Sequence, residues 1–142
     1  MTTKVRYDEV DVGTELPPHD YQITRAKLVH YAGASGDFNV IHWNERIARA
    51  VGLPDVIAHG MFTMAEAGRL VTDWVGDPGA VVEYGVRFSA TVPVPDDEVG
   101  TTLTVRGKVA EKLDDNLVAV DLDARVAESK VLAKARAVVR LD

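Results

Sequence analysis

The chain contains no cysteine among its 142 residues, which excludes disulfides, thiolate metal sites and a cysteine nucleophile. Positive charge is also scarce, since 16 Lys and Arg stand against 22 Asp and Glu and the net charge is −6. A general nucleic-acid binder needs a basic face, so this class is disfavoured. No apolar run approaches the roughly 20 residues of a membrane-spanning helix, and the opening sequence MTTKVRYDEV lacks the apolar core of a signal peptide. We therefore expect a cytoplasmic protein with neither a nucleic-acid nor a membrane partner.

The overall composition is that of a globular protein. Hydrophobic residues make up 46% of the chain and charged residues 27%, which is typical of chains that fold around a core. The length fits one such core. We predict a single domain over residues 1–142.

The region after residue 23 has helical periodicity. Thr24 is a candidate N-cap, because its hydroxyl can accept an unpaired N–H of the first helical turn. Gly33 and Gly36 are predicted to end this helix. Asn44 is a candidate cap for a second, shorter helix. The inner face of that helix is predicted to consist of Ile47, Ala48 and Val51.

A long helix is predicted from Gly60 to Val75. Its polar residues form a narrow stripe of Glu66, Arg69 and Asp73, and the rest of its circumference is mostly apolar. A helix that is apolar over most of its surface is normally buried. We therefore predict that this helix is buried on nearly all sides.

From residue 80 onward, helical spacing gives way to alternation of apolar and polar residues, with turns at residues 93–97 and 113–116. This pattern predicts four antiparallel strands in a sheet with one wet face. The predicted inner positions of the first of these strands are Val82, Tyr84, Val86, Phe88, Ala90 and Val92, and those of the last are Val131, Ala133, Ala135, Ala137, Val139 and Leu141.

A lead-in strand is predicted around Tyr21 and Ile23, after the turn residues Gly13, Pro17 and Pro18. The long helix and the apolar face of the sheet each need a cover, and the simplest arrangement wraps the sheet around the helix. The predicted fold class is therefore α+β, with an antiparallel sheet around a long central helix.

The residues with the clearest chemical potential lie in the segment YAGASGDFNVIH, residues 31–42. Asp37 and His42 supply a carboxylate and an imidazole, an acid–base pair that can move protons near neutral pH. Gly60 begins the predicted long helix, where unpaired amides and the helix dipole favour negative charge. Each residue also has an ordinary interpretation. Asp37 can stabilise a turn, His42 can be a structural histidine, and His59 either orients the Gly60 turn or packs in the core.

The run SGDFNVIH (residues 35–42), followed by AHGM (residues 58–61), resembles the signature of MaoC-like (R)-specific enoyl-CoA hydratases. The similarity extends over nearly the whole chain and looks closest to the catalytic subunit of actinobacterial (3R)-hydroxyacyl-ACP dehydratases. The family motif usually reads G-D-x-N-P-x-H, and here Val40 replaces the proline. The resemblance implies the hot-dog fold, which agrees with the α+β architecture predicted above.

The resemblance also implies an activity and a set of site residues. It implies a hydro-lyase of fatty-acid metabolism that hydrates trans-2-enoyl thioesters or dehydrates (3R)-3-hydroxyacyl thioesters. Asp37 and His42 would form the catalytic dyad, and the Gly60 amide would contact the thioester oxygen. The residue types of Asp37, His42 and His59 also suit a metal, but the family needs neither a metal nor a cofactor. The predicted substrate-binding residues are Asn39, which we expect chiefly to brace the loop, and Phe38, Ile41, Met61 and Phe62, which either line an acyl tunnel or belong to the core.

The implied partners are an acyl-CoA or acyl-ACP substrate and a second hot-dog subunit. Hot-dog protomers usually pair edge to edge, so we expect a homodimer or a heterodimer. Candidates for binding the phosphates of the carrier are Arg25, Lys27, Arg46, Arg49 and Arg69. Two alternatives stay open: an acyl thioesterase on the same fold, and a non-catalytic subunit of a heterodimeric dehydratase.

Overall fold

The computed structural model describes residues 3–142. After a 3-10 turn at Tyr7–Glu9, the helices and strands are β1 (Glu15–Ile23), α1 (Arg25–Ser35), a 3-10 turn at Val40–His42, α2 (Glu45–Ala50), α3 (Gly60–Val75), a 3-10 turn at Pro78–Ala80, β2 (Val81–Phe88), β3 (Thr101–Lys112), β4 (Leu117–Val126) and β5 (Ser129–Arg140). Within these residues, no helix combines the length and the apolar character needed to cross a membrane.

The five strands form one antiparallel sheet in the order β1-β3-β4-β5-β2. Helix α3 contacts all five of them, and the interface is apolar, with Val71, Val75, Leu103, Val105 and Leu132 fully buried. Burial of each such side chain favours folding by about 1.5–3 kcal/mol. The predicted α+β architecture, with a sheet around a central helix, is confirmed.

Local capping places the short helices that precede α3. The hydroxyl of Thr24 accepts a hydrogen bond from the Lys27 amide at 3.4 Å, and the left-handed Gly36 (φ 76°) ends α1. The side chain of Asn44 accepts from the Ile47 amide at 3.1 Å and begins α2. These three predictions are confirmed. Gly33 lies inside α1 rather than ending it, because its backbone does not adopt the positive φ of a C-cap.

The inner face of α2 was predicted with one residue too many. Ala48 is fully buried, but Val51 is 63% exposed. Val51 follows the last helical residue as the C-cap, where the backbone has left helical geometry. It therefore no longer lies on the face that the helical spacing implies.

The prediction that α3 is buried on nearly all sides is wrong for the single chain, although its bounds are as predicted. One side faces the sheet, whereas Met61 is 58% exposed and Ala65 is exposed on the opposite side. Glu66, which belongs to the predicted polar stripe, is buried (8% exposed), and its carboxylate pairs with Arg69 at 3.2 Å. A sheet that packs against one side of a helix leaves the other side uncovered.

The two edge strands depart from simple alternation. Pro17 and Pro18 lie inside β1 at an irregularity between Leu16 and His19, not in a turn. An edge strand tolerates proline because the missing N–H faces away from the ladder. In β2, register shifts at residues 81–83 and 85–87 turn two predicted inner residues, Val82 and Phe88, outward, and each is about half exposed. Ala90 was also predicted inward but is exposed, because the strand ends before it.

Candidate active site

The loop at residues 36–42 is organised by its own side chains. A carboxylate oxygen of Asp37 accepts a hydrogen bond from the Asn39 amide at 3.1 Å. The Asn39 side-chain oxygen in turn accepts from the Ile41 amide at 3.3 Å and caps the 3-10 turn that carries His42. Asn39 therefore braces the loop, and the sequence of the loop alone orders it locally.

His42 is buried (8% exposed), and its two ring nitrogens face different groups. Nδ1 lies 2.7 Å from the carbonyl oxygen of Ile57. A carbonyl can only accept, so Nδ1 carries the proton in the neutral ring and Nε2 presents a bare lone pair. Nε2 lies 3.9 Å from Oδ2 of Asp37, whose side chain is half exposed. This distance is too long for a direct hydrogen bond.

His42 and Gly60 both line a cavity of about 330 Å³. The other lining residues are Ile57, Ala58, Thr63, Phe88, Ser89, Ala90, Thr91, Val92, Val131 and Leu132. Gly60 is the first residue of α3, so the positive end of the helix dipole lies at the cavity wall. The Phe88 ring packs against Gly60 so closely that a Cβ there would lie 3.1 Å from a ring carbon.

The residues predicted to bind substrate lie outside the lining of this cavity. Phe38 and Met61 are about 60% exposed, whereas Phe62 is buried and packs on Tyr31 with ring centroids 5.3 Å apart. Asn39 and Ile41 belong to the loop that carries Asp37. The structure thus brings Asp37 close to His42, and it brings His42 and Gly60 to one cavity whose lining does not include Asp37. The role of the other five in substrate binding stays a prediction.

Apart from His42 and Gly60, no residue of the cavity lining had a functional role in the sequence-based predictions, and Thr63 and Phe88 are two examples. Thr63 is 3% exposed, and its hydroxyl lies 3.4 Å from the carbonyl of His59, the N-cap residue four positions earlier. Phe88 was assigned to the core by strand alternation. Thr63 could have been found from the sequence, because it is a polar residue one helical turn after His59. Phe88 could not, because the strand irregularity that moves it to the cavity leaves no pattern in the sequence.

His59 is buried (1% exposed) and contacts both members of the predicted dyad. Its Nε2 lies 3.1 Å from the Asp37 carbonyl oxygen, and its ring stacks on His42 with centroids 3.8 Å apart and planes at 22°. The edge of the stack also meets Tyr31, with centroids 4.8 Å apart. Burial, with a smaller contribution from neighbouring His42, lowers the pKa of His59, so its ring is neutral near pH 7.

Asp37, His42 and His59 offer ligand atoms within 4.8 Å of one another. The geometry nevertheless does not suit a shared ion. Each imidazole lone pair lies in the plane of its ring, and two rings stacked at 22° direct their lone pairs along nearly parallel planes. This arrangement suits a water at the dyad better than a metal.

Most of the candidate carrier-binding cations already pair with nearby carboxylates. Arg25 contacts Glu45 and Asp55, Arg49 contacts Glu45, and Arg69 contacts Glu66. Lys27 donates to a backbone carbonyl of β1. The remaining candidate, Arg46, is exposed on α2.

Comparison with known proteins places the chain in a family. The family model described as "MaoC like domain" matches residues 9–127. The 3-hydroxyacyl-thioester dehydratase X of Mycobacterium tuberculosis is 45% identical over 83 residues, which are 57% of this chain and 29% of that protein. The (R)-specific enoyl-CoA hydratase of Rhodospirillum rubrum is 34% identical over 91 residues, covering 63% of this chain and 62% of that protein.

Solved structures agree with this comparison. A MaoC-like dehydratase is 41% identical with a TM-score of 0.93, and the match covers 96% of this chain but 42% of that chain. The chain thus spans less than half the length of some of the relatives it resembles. A further match is to the HadBC (3R-hydroxyacyl-ACP dehydratase) complex of Mycobacterium tuberculosis, at 18% identity and a TM-score of 0.71, and it covers 92% of this chain and 97% of that chain. At this identity the likeness shows the fold alone.

Proposed function

The chain belongs to the MaoC-like domain family, and on that premise we propose that it adds water reversibly to trans-2-enoyl thioesters. In the opposite direction it would dehydrate (3R)-3-hydroxyacyl thioesters, carried by CoA or by acyl-carrier protein in fatty-acid metabolism. The observation that carries the proposal is the separation of 3.9 Å between His42 Nε2 and Asp37 Oδ2, beside a cavity that the Gly60 helix terminus also lines.

The pair suits a single water molecule because both facing atoms are acceptors. In its neutral form the His42 ring presents a lone pair at Nε2, and the Asp37 carboxylate presents an oxygen. At 3.9 Å they cannot bond to each other, but one water can donate a hydrogen to each. Such a water would be oriented and polarised before substrate arrives, which is the arrangement that general base catalysis requires.

The reaction balances with no further reagent. The water oxygen forms a bond to C3 as one water proton moves to the dyad, and the electrons of the C2–C3 double bond shift toward the thioester oxygen. The dyad then returns one proton to C2 as the carbonyl re-forms. The dyad therefore ends in its initial state, and proton transfer of this kind accelerates reactions by about 10²–10⁴-fold.

The amide of Gly60 supports the proposal from the electrostatic side. Negative charge develops on the thioester oxygen during the addition, and the first amide of α3 lies at the positive end of a 16-residue helix. A well-placed donor of this type lowers a barrier by about 3–4 kcal/mol. Glycine at this position leaves room for the substrate, since Phe88 already occupies the space beside it.

The direct test is hydration of crotonyl-CoA, which is measured as the loss of absorbance of the conjugated double bond. Asp37→Asn and His42→Ala should each lower kcat at least about 10²-fold, and the exposed His30→Gln is a matched control that should behave as wild type. Full activity in both dyad variants would exclude the proposed chemistry. Release of free thiol with no change in the double bond would instead identify a thioesterase.

We further propose that the chain functions as a dimer with a second hot-dog subunit, identical or different. Support comes from the apolar side chains that lie exposed on α3 and β2, namely Met61, Val82 and Phe88. Strand β2 is also an edge strand of the sheet, with an unpaired side open to another strand. Sedimentation should give a dimer at micromolar concentration, alone or with the partner subunit, and a monomer in both samples would contradict this. A cytoplasmic location stays a prediction of the sequence.

A further inference from the structure

His59 directly precedes the helix whose first amide is the proposed oxyanion donor, yet its side chain does not cap that helix. N-cap side chains commonly accept a hydrogen bond from the first helical turn. The His59 ring turns away from the helix amides, and it lies between the Asp37 loop and His42. Because the buried His59 imidazole makes no capping hydrogen bond, its position must serve another structural role.

The contact between His59 and Asp37 is distinctive among the contacts of residues 36–39. The other hydrogen bonds of this segment in residues 3–142 reach no farther than five residues along the chain. The bond from His59 Nε2 to the Asp37 carbonyl spans 22 residues at 3.1 Å. Local bonds shape the loop, and this one connects the loop to the core of the fold.

The two contacts of His59 constrain the dyad from both sides. The hydrogen bond holds the backbone of Asp37, and the stack at 3.8 Å holds the ring plane of His42. Tyr31 also contacts the His59 ring, in an edge arrangement with centroids 4.8 Å apart. Because a carbonyl accepts only, Nε2 of His59 carries the proton and Nδ1 is left as an acceptor. Among the described residues, Nδ1 is a buried side-chain nitrogen without a hydrogen-bond partner.

An unpartnered buried acceptor is costly, and a residue chosen only to fill space would avoid it. The cost is understandable if the Nε2 donor is needed at Asp37. The groups that face the ring are His42, the Asp37 backbone and Tyr31, and none of them offers Nδ1 a hydrogen bond. The ring therefore has a single useful polar atom, and that atom points to the loop.

We propose that His59 is a positioning residue that fixes the separation of Asp37 and His42, chiefly through its hydrogen bond to the Asp37 carbonyl and to a smaller extent through its stack on His42. The inference rests on the proposed function, since it assigns His59 to the geometry of that dyad. His59 does not touch the reacting atoms. Its contribution appears in kcat, because a displaced carboxylate no longer orients the water, and KM stays nearly constant.

Two substitutions separate the hydrogen bond from the space that the ring fills. In His59→Gln, the amide nitrogen can take the place of Nε2 and still donate to Asp37, but the stack is lost. In His59→Phe, the ring and its stack remain, the unpartnered nitrogen disappears, and the donor is lost. The exposed His30→Gln is the matched control on the neighbouring helix.

The test is kcat and KM for crotonyl-CoA hydration, together with Tm, for the full chain and any second hot-dog subunit that it requires. We expect His59→Phe to lower kcat about 10–100-fold, as misplacement by an ångström can do, with KM unchanged and Tm equal or higher. His59→Gln should keep kcat within about threefold of wild type, as expected for a small misplacement, and have the lower Tm. Activity and stability would then rank the two variants in opposite orders. The positioning role would be refuted if His59→Phe kept wild-type kcat. It would also be refuted if kcat and Tm ranked the two variants in the same order.

A second readout does not depend on the activity. Amide hydrogen exchange at residues 37–39 should accelerate in His59→Phe and stay near wild type in His59→Gln, because only the first variant frees the loop from the core. Equal exchange in wild type and His59→Phe would overturn the inference. If wild type fails to hydrate crotonyl-CoA but the exchange pattern is as expected, the proposed function fails and the structural role of His59 stands.

Discussion

Replacement of Gly60 by alanine tests both the proposed oxyanion donor and the close packing around it. The added Cβ would lie 3.1 Å from one carbon of the Phe88 ring and 3.3 Å from two others. Contacts of this length require the neighbour to move by a few tenths of an ångström. Phe88 is half exposed at the end of an edge strand, so its ring has room to move.

The fold should survive this change. Alanine is the better helix former by up to about 1 kcal/mol, which offsets part of the steric cost. We expect the net change in the free energy of unfolding to stay below about 1 kcal/mol, or a shift in Tm of less than about 4 °C. The backbone amide itself is still present in the variant.

The activity should fall much more than the stability. The methyl group and the displaced ring narrow the space in which the thioester oxygen must approach the amide. A kcat loss of about 10–100-fold corresponds to about 1.4–2.7 kcal/mol of lost transition-state stabilisation, part of the 3–4 kcal/mol that a whole donor of this kind provides. The assay is crotonyl-CoA hydration alongside thermal unfolding. Wild-type kcat in Gly60→Ala would refute the reasoning about this amide.

Two further variants isolate the cause. Gly33→Ala lies within α1, and outside its own helix no atom of residues 3–142 lies within 4 Å of the new Cβ. It should gain about 0.5–1 kcal/mol of stability with unchanged kcat. In the double variant Gly60→Ala with Phe88→Ala, the ring is gone, and we expect at least about tenfold of the lost kcat to return, which is about 1.4 kcal/mol. No recovery would show that the Phe88 contact is not the cause.

Three other expectations concern stability. Tyr84→Phe removes the hydrogen bond from the hydroxyl to the Met64 carbonyl, 2.7 Å, and should cost about 1 kcal/mol in urea unfolding. Burial raises the pKa of Tyr84 to about 12, so the unfolded chain loses its proton first. Wild type should therefore lose stability as the pH rises from about 10 toward 12, and an equal loss in the Phe variant would contradict this. Gly100→Ala should destabilise the fold by about 3 kcal/mol or more, because its φ is 70° and a Cβ would overlap the Ile23 carbonyl; a wild-type Tm would exclude that reading. Burial lowers the pKa of His59, so the unfolded chain binds a proton more readily, and stability should fall as the pH drops below about 6.5. His59→Phe should reduce this dependence of stability on pH. If the dependence is unchanged in that variant, groups other than His59 cause it.

Features that depend on neighbours in the sequence were predictable. Thr24 and Asn44 cap their helices through amides three residues away, and Asn39 braces its loop over two. The bounds of α3 follow from Gly60 and from Gly76, whose positive φ ends the helix. Alternation likewise identified the central strands β3 and β4, since strands paired on both sides keep one face inward along their length.

Features that depend on the edge of the sheet were not predictable in the same way. Phe88 moves from the core to the cavity because register shifts in β2 rotate its side chain outward. Pro17 and Pro18 fit inside β1 because that strand has a free side. A sequence pattern does not say which strand lies at an edge, and only an edge strand tolerates such irregularities.

The sequence by itself determined the α+β class, the position of the central helix and the identity of Asp37, His42 and Gly60 as candidate site residues. Only the tertiary structure decided that His59 contacts both Asp37 and His42, and that the cavity is lined by Thr63 and Phe88. The physical reason is range. Periodicity, caps and motifs are set within a few residues, whereas a bond across 22 residues and a wall built from a helix terminus and an edge strand exist only after the chain has folded.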